Sequence, residues 1–558
     1  MDETLRRIER RSRKSIFHAL LAASHKRGAN AVALVDGDGR ELTYKEIIRA
    51  SFAIGGPLAR ATAKGEKVGI MLPTGAGAVI ALMAAFSQGR TPAMFNFTSG
   101  ARNLKAAARA AEVKKVVTAH KFIEIGKLEG LVAELEGAVE FLYLEDMKEA
   151  LSPLDKARAL LGPMLPRLFS ASPDPDSLGI ILFTSGTEGD PKGVALSHAN
   201  ILSNIYQIAE HVKILPSDIF FNPLPTFHCY GLTAGTLWPI LNGYKVVLHP
   251  SPLQTKIVPQ RIFETGSTVL FATDTFLQQY MRASEDGGMS SLRIAVCGAE
   301  RVKDETRQTA ERRFGFEVLE GYGVTEGSPV LAANQPGDIR AGTVGKLLPG
   351  VEWHLEEVEG LSGGKRLFVK GPNIMQGYIT PDAPGVVKPL EDGWHDTGDI
   401  VAFDEENYMA IRGRMKRFAK IGGEMVSLTV VENCATAVWP DNMHAAAILP
   451  DDKKGEQIVL VTDKQSPDRT QLLGWAQNHG VPELAVPKKI VSVAEVPVLG
   501  TGKLDYIAIQ RLAADGVGLT AEQKREREIR LAEIDARLAS QKGAADEIEP
   551  AALKRAAE

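Results

Sequence analysis

Between about residues 30 and 400, short continuous apolar runs alternate with segments whose apolar positions recur at the helical period. VGIML precedes GAVIALMAAF, KVVLH precedes IVPQRIFETG, STVLF precedes TFLQQYMRA, and RIAVCG precedes DETRQTAERRF. Continuous apolar runs predict strands buried on both faces, and the helical segments supply the cover. The alternation predicts an α/β fold with largely parallel sheets. Residues 68–89 carry no charge, which raises the question of a membrane span. Pro73-Thr74-Gly75 interrupts them, so the reading is a buried strand over Lys67–Leu72 and a core helix over Ala76–Phe86, with Thr74 near its N-cap. No transmembrane helix is expected.

After about residue 412 the texture changes. Basic residues cluster in RGRMKRFAK, and MHAAAILP, EQIVLVTD, DRTQLLGWAQNH and KKIVSV follow as a smaller α+β pattern. The expected division is a basic N-terminal segment 1–29, a large domain 30–412, a small domain 413–515 and a charged helical tail 516–558. The tail opens on a capping box, Thr520 with Gln523. It carries an apolar stripe at Ile529, Leu531, Ile534 and Leu538, and ends at Gly543. At the other end, Arg6, Arg7, Arg10, Arg11, Arg13 and Lys14 offer charge that anionic lipid would attract, but a solvated helix packed on the domain edge is the favoured reading. The apolar run near Ile16–Ala23 is short, contains His18 and lacks a cleavage site, so no signal peptide is read.

Composition narrows the class. The 558 residues are 44% hydrophobic and 24% charged, which excludes a wholly disordered chain. A net charge of −4 gives no electrostatic case for nucleic acid. Cys229, Cys297 and Cys434 lie far apart without CxxC spacing. A disulfide framework or zinc site is therefore not expected, and a cytoplasmic setting is, with peripheral contact at the inner face of the membrane as an open possibility. Cys229 has nothing beside it in sequence that would activate it as a nucleophile.

The densest chemical signal is Phe183-Thr184-Ser185-Gly186-Thr187-Glu188-Gly189-Asp190-Pro191-Lys192-Gly193, directly after the strand-like run LGIILF. Its glycines permit positive φ and close backbone approach, and its hydroxyls, free N–H groups and Lys192 suit phosphate oxygens. It is not a P-loop, which ends G-K-[ST]; here Pro191 precedes the lysine and Gly193 follows it.

TSGTEGDPKG resembles the phosphate loop of the adenylate-forming superfamily of acyl-CoA synthetases, adenylation domains and luciferases. Further motifs agree in order: Leu42-Thr43-Tyr44, Cys297-Gly298-Ala299-Glu300, Gly321 to Glu326, Trp394 to Asp399, Arg412 to Lys416, and Pro497 to Asp505. The resemblance spans about residues 30–510. It implies the adenylate-forming fold, with a large multi-sheet N-terminal domain and a small, mobile α+β C-terminal domain, and it implies ATP and Mg2+ as cofactors. Within it, Lys503 would bridge the substrate carboxylate and the α-phosphate, and Thr325 would donate to that phosphate. Glu326 would hold magnesium, which suits a hard carboxylate oxygen. Asp399 would accept from the ribose hydroxyls with Arg414 behind it, and Tyr322 and Gly323 would lie at the adenine with Gly298, Ala299 and Glu300. Thr184, Ser185, Gly186, Thr187, Glu188, Gly189 and Lys192 would hold the departing pyrophosphate. His228 would gate the acyl pocket, or else be a packed core histidine. Lys416 would be the hinge, and Gly422 and Gly423 would line a thiol channel.

Such residues suit activation of a carboxylate, which AMP transfer converts to a mixed anhydride while cations and donors offset the repulsion between two anions. The stretches 223–282 and 413–432 resemble the synthetase half of bacterial bifunctional 2-acylglycerophosphoethanolamine acyltransferase/acyl-ACP synthetases, whose acyltransferase half this chain lacks. The expected activity is therefore a fatty acid ligase that loads holo-acyl carrier protein. An acyl-CoA ligase using coenzyme A is the alternative, and a silent nucleotide- or carrier-binding relative a third. Arg412, Arg414, Lys416, Arg417 and Lys420 form a cationic cluster that would attract an acidic carrier protein or the phosphates of coenzyme A.

Overall fold

The computed structural model describes residues 2–184, 191–358, 361, 363–421, 424–451, 455–498 and 504–516. The chain divides into two compact units between Met415 and Lys416, three residues past the boundary read from the sequence. Among the described residues no helix is long and apolar enough to cross a membrane.

The larger unit holds three sheets. A nine-stranded sheet runs in the order Lys346–Leu347, Val330–Ala333, Glu317–Gly323, Ile294–Cys297, Val269–Ala272, Ile219–Asn222, Lys245–Leu248, Val32–Val35 and Glu41–Thr43. From Glu317–Gly323 through to Val32–Val35 it is parallel, with antiparallel pairs at the edges. An eight-stranded sheet is parallel across Leu178–Thr184, Thr91–Met94, Lys67–Ile70, Lys115–Thr118 and Glu140–Tyr143. It turns antiparallel through Lys192–Ser197, Gly377–Thr380 and Ala383–Pro389. The third sheet is antiparallel and joins Glu352–Glu356, Lys365–Lys370, His395–Phe403 and Met409–Arg414. Among the parallel strands, Lys67–Ile70, Thr91–Met94, Lys245–Leu248 and Val269–Ala272 are buried along nearly their whole length.

The uncharged stretch forms the strand Lys67–Ile70 and the helix Ala76–Ser87, which is buried on all sides. Thr74 does not cap that helix. Gly75 occupies the N-cap, and the orphan N–H of Ala76 is taken by Asp36 Oδ1 at 3.0 Å. The Thr74 hydroxyl instead donates to the Leu224 carbonyl (2.9 Å) and accepts from Thr226 N–H (3.0 Å), tying down the loop that leads to His228. Thr43 caps the helix Tyr44–Ala61 through a capping box with Glu46, and the buried Tyr44 hydroxyl donates to the Ile240 carbonyl at 2.6 Å.

The basic N-terminal segment belongs to this unit. Ile16, Phe17 and Leu20 are buried in its core. Arg7 makes a two-pronged pair with Glu210 (2.8 and 2.7 Å), Arg11 lies over the ring of Tyr206, and Arg13 pairs with Asp176.

The smaller unit is a five-stranded sheet. Glu424–Ser427, Phe418–Ile421, Gly455–Thr462 and His444–Asp451 pair in that order, Lys489–Ser492 pairs parallel with Gly455–Thr462, and the helices Leu428–Val438, Arg469–Asn478 and Tyr506–Gly516 pack on it. Arg417 is not a docking cation here. It is 17% exposed, donates to Glu432 at 2.8 Å and lies over the ring of Tyr506 at 3.8 Å, an internal strut. The expected tail after residue 516 lies outside the described residues.

Candidate active site

Strands Leu178–Thr184 and Lys192–Ser197 pair antiparallel, with Thr184 opposite Lys192, so the glycine-rich loop connects them at the end of the ladder. Ser185, Gly186, Thr187, Glu188 and Gly189 lie outside the described residues, as do Gly422, Gly423 and Lys503. Lys416 is the first residue of the smaller unit.

Next to Lys192–Ser197 runs Gly377–Thr380, with Tyr378 opposite Val194. This places the Lys192 ammonium over the ring of Tyr378 at 5.4 Å. The Tyr378 hydroxyl donates to Glu326 Oε1 at 2.6 Å, and burial followed by the charge of Glu326 pushes that phenol far up. Glu326 stands in the single turn Thr325–Gly327 that follows the strand Glu317–Gly323. The turn is fixed from outside: Met375 N–H donates to the Glu326 carbonyl (2.8 Å), Asn373 Nδ2 to the Gly327 carbonyl (2.8 Å), and Ser328 Oγ to the Asn373 carbonyl (2.8 Å). Tyr378 carries no motif in the sequence. Only the pairing of strands distant in the chain brings it to Glu326.

A second arm lies at the same strand end. The Tyr322 hydroxyl donates to Asp399 Oδ2 at 2.5 Å, and Arg414 Nε donates to Asp399 Oδ1 at 3.0 Å. Asp399 and Arg414 are direct partners across the antiparallel pair His395–Phe403 and Met409–Arg414. Asp399 is buried, and burial raises its carboxyl above the ordinary range while Arg414 pulls it back. The loop before it is braced: Arg366 grips Asp396, Asp396 accepts from Gly398 N–H (2.9 Å), and Thr397 Oγ1 accepts from Asp399 N–H (3.1 Å). Burial holds the His395 imidazole below its usual range, although Glu326, Asp396 and Asp399 all favour its charge. The turn that carries Glu326 directly follows the strand that carries Tyr322, so both arms leave one strand end.

Cys297 ends a buried parallel strand, and Gly298 follows against the ring of Tyr230, where a Cβ would meet the ring carbon at 3.2 Å. Ala299 adopts φ +68, and the Glu300 carboxylate accepts from Thr275 N–H at 2.9 Å, anchoring the start of the helix Asp274–Ala283. Tyr230 opens a π-helix, Tyr230–Leu237, a wide turn of a kind that recurs at functional sites. Gly231 and Gly235 permit it, since a Cβ at either would lie 2.3 Å from the Pro225 carbonyl oxygen or 2.5 Å from the Asn222 side chain. His228 is half-buried just before this turn. The buried Cys229 sulfur lies 3.3 Å from Thr325 Oγ1, which joins the His228 loop to the Glu326 turn.

Among the described residues no group of three or more His, Cys, Asp or Glu side chains could cage a metal ion. A magnesium ion would fit here as it does in nucleotide sites generally, held by one carboxylate, that of Glu326, and by phosphate oxygens.

The family model described as AMP-binding enzyme matches residues 21–379. A probable CoA ligase of Humulus lupulus is 27% identical over 80% of this chain and 86% of its own length. A long-chain fatty-acid–CoA ligase of Bacillus subtilis is 28% identical over 84% of this chain and 89% of its own. Among solved structures, the O-succinylbenzoate coenzyme A synthetase of Bacillus subtilis in complex with AMP superposes with a TM-score of 0.75 at 23% identity, over 88% of this chain and 98% of that one. The likeness shows the fold, a large multi-sheet N-terminal domain with a smaller C-terminal domain.

Proposed function

The chain belongs to the AMP-binding enzyme family, and from that premise we propose that it is an AMP-forming acid–thiol ligase that activates a fatty acid and delivers the acyl group to a phosphopantetheine thiol. The observation that carries this reading is the pair of arms at one strand end. Tyr322–Asp399–Arg414 offers an oriented carboxylate to ribose hydroxyls. Lys192–Tyr378–Glu326 offers positive charge and a carboxylate to a triphosphate and its cation.

In the first step a carboxylate oxygen of the acid attacks the α-phosphorus and pyrophosphate departs with the electron pair of the broken bond. Thr325 donates to the α-phosphate, and Lys192 and the loop that follows Thr184 draw off the pyrophosphate charge. Magnesium, when bound, neutralises phosphate charge beside Glu326. Lys503, outside the described residues, is assigned by resemblance to the bridge between carboxylate and phosphate. In the second step a thiolate attacks the acyl carbon and AMP leaves. The hinge at Lys416, the channel at Gly422 and Gly423, and the gate at His228 are parts of this proposal on the same footing.

The acceptor we assign is the thiol of an acyl carrier protein, on the resemblance of stretches 223–282 and 413–432. The second reading, coenzyme A, is favoured by the names of the relatives, which are CoA ligases. Incubation with ATP, magnesium and mixed fatty acids, divided between holo-acyl carrier protein and coenzyme A, tests both by mass spectrometry of the thioester. Product on the carrier protein supports the first acceptor and product on coenzyme A the second. No thioester and no pyrophosphate in either would overturn the ligase reading.

A further inference from the structure

Residues 153–169 reverse the usual polarity of a surface helix. In the helix Pro153–Leu161 the carboxylate of Asp155 faces inward. It closes a capping box with Ser152 and pairs with Arg60 at 2.7 Å. Gly162 lies against the ring of Phe52, where a Cβ would approach to 2.3 Å, and Phe169 meets the same ring edge-on with centroids 6.3 Å apart. The segment is thus fixed to the helix Tyr44–Ala61 by an acid, a glycine and one aromatic ring. Its large aliphatic side chains point into solvent: Leu154 is 66% exposed, Leu160 62%, Met164 75% and Leu168 73%, with Leu161 and Leu165 beside them. Leu154, Ala157 and Leu161 share one helical stripe. The turns closed by Met164 N–H and Leu165 N–H on the Leu161 carbonyl extend the apolar surface past the helix end.

So many large aliphatic side chains exposed on one short segment mark a surface that meets something. Charge says what. From residue 156 to 173 the ionisable side chains are Lys156, Arg158 and Arg167, with no acid among them. The His18 ring lies between Ser15 (2.9 Å) and Ser170 (3.4 Å), which ties the start of the N-terminal helix, just after Lys14, to the end of this segment. An apolar crown with a cationic rim is the arrangement of a helix that lies in the boundary between headgroups and acyl chains.

We propose that residues 153–169 are a membrane-docking face: the leucines and Met164 enter the outer acyl region of a bilayer, and Lys156 and Arg167 meet anionic headgroups. If the proposed function holds, the bilayer is also where a fatty acid substrate dissolves, but docking does not require it, and the test below involves no catalysis.

Co-sedimentation of the full chain with vesicles of phosphatidylethanolamine and phosphatidylglycerol reads it directly. The protein is expected to pellet with these vesicles. The triple variant Leu160→Asp, Met164→Asp, Leu168→Asp is expected to lose on the order of a hundredfold in partitioning, because side chains that would enter the apolar phase become charged. The pair Lys156→Glu, Arg167→Glu is expected to lose roughly tenfold or more with anionic vesicles and little with phosphatidylcholine alone. All of these positions are solvent-exposed, so melting curves matching the parent are the folding control. A parent chain that stays in the supernatant, or a triple variant that pellets equally, overturns the proposal. A parent that is dimeric by light scattering while the triple variant is monomeric overturns it in favour of a protein interface.

Discussion

The two arms of the candidate site use their carboxylates differently. Asp399 is 2% exposed and receives a separate donor on each oxygen. Glu326 is half-buried, and the hydroxyl of Tyr378 reaches one of its oxygens. A carboxylate held from two sides in a buried setting is fixed in direction, which suits hydrogen bonds from neutral hydroxyls. A carboxylate nearer solvent beside Lys192 keeps capacity for a hard cation and changing phosphate charge. Under the proposed function the first arm carries binding and the second carries chemistry. This division separates affinity from turnover in variants.

The sharpest break is expected at Glu326→Ala. Turnover should fall about a hundredfold or more, the scale for losing a group aimed at developing charge, while AMP affinity changes little. Single-turnover acyl-AMP formation beside AMP titration checks it, and equal losses in both would dissolve the distinction between arms. Asp399→Asn should do the converse, weakening AMP about tenfold to a hundredfold with magnesium present or chelated, because bonds to a charged acceptor contribute about 1.5–3 kcal/mol. Tyr378→Phe removes one hydroxyl from Glu326 and should slow adenylation by roughly tenfold with AMP affinity intact; a change in affinity instead would move Tyr378 to the first arm.

The smallest effect on turnover is expected away from both arms. His198 accepts from Ile16 N–H through Nδ1 at 3.3 Å, and burial, helped by His18, pushes its imidazole down to about 4. Between that value and the ordinary 6.5 an unfolded chain binds a proton that the folded chain refuses. The contribution to stability is therefore complete above pH 6.5 and is lost as pH falls toward 4, with a ceiling of about 3 kcal/mol. His198→Asn keeps an acceptor without a titrating ring. It should flatten this part of the pH–stability curve measured by denaturant melts and leave turnover near that of the parent; an unchanged slope would contradict the assignment.

Much of this was legible in the sequence where a motif compresses a contact into a few neighbouring residues. The parallel strands followed from continuous apolar runs, and the family resemblance placed Arg414 behind Asp399. Tyr378 was not, because its contact with Glu326 depends on the register of a strand against Lys192–Ser197, which no local pattern encodes. Thr74 stands beside the Gly75 N-cap, yet Asp36 takes the first orphan N–H from a distant loop and the threonine holds Leu224 and Thr226. Arg417 looked like a surface cation until Glu432 and Tyr506 were folded around it. Nothing local marks the leucines of 153–169 as exposed, because periodicity does not say which face of a helix turns inward.

Exchange of radiolabelled pyrophosphate into ATP, run with and without a fatty acid, tests the central claim most directly because it needs no thiol acceptor. The account predicts exchange that depends on the acid and on magnesium, collapses in Glu326→Ala and persists at raised ATP in Asp399→Asn. Exchange without any acid, or none with any acid at saturating ATP, would contradict it.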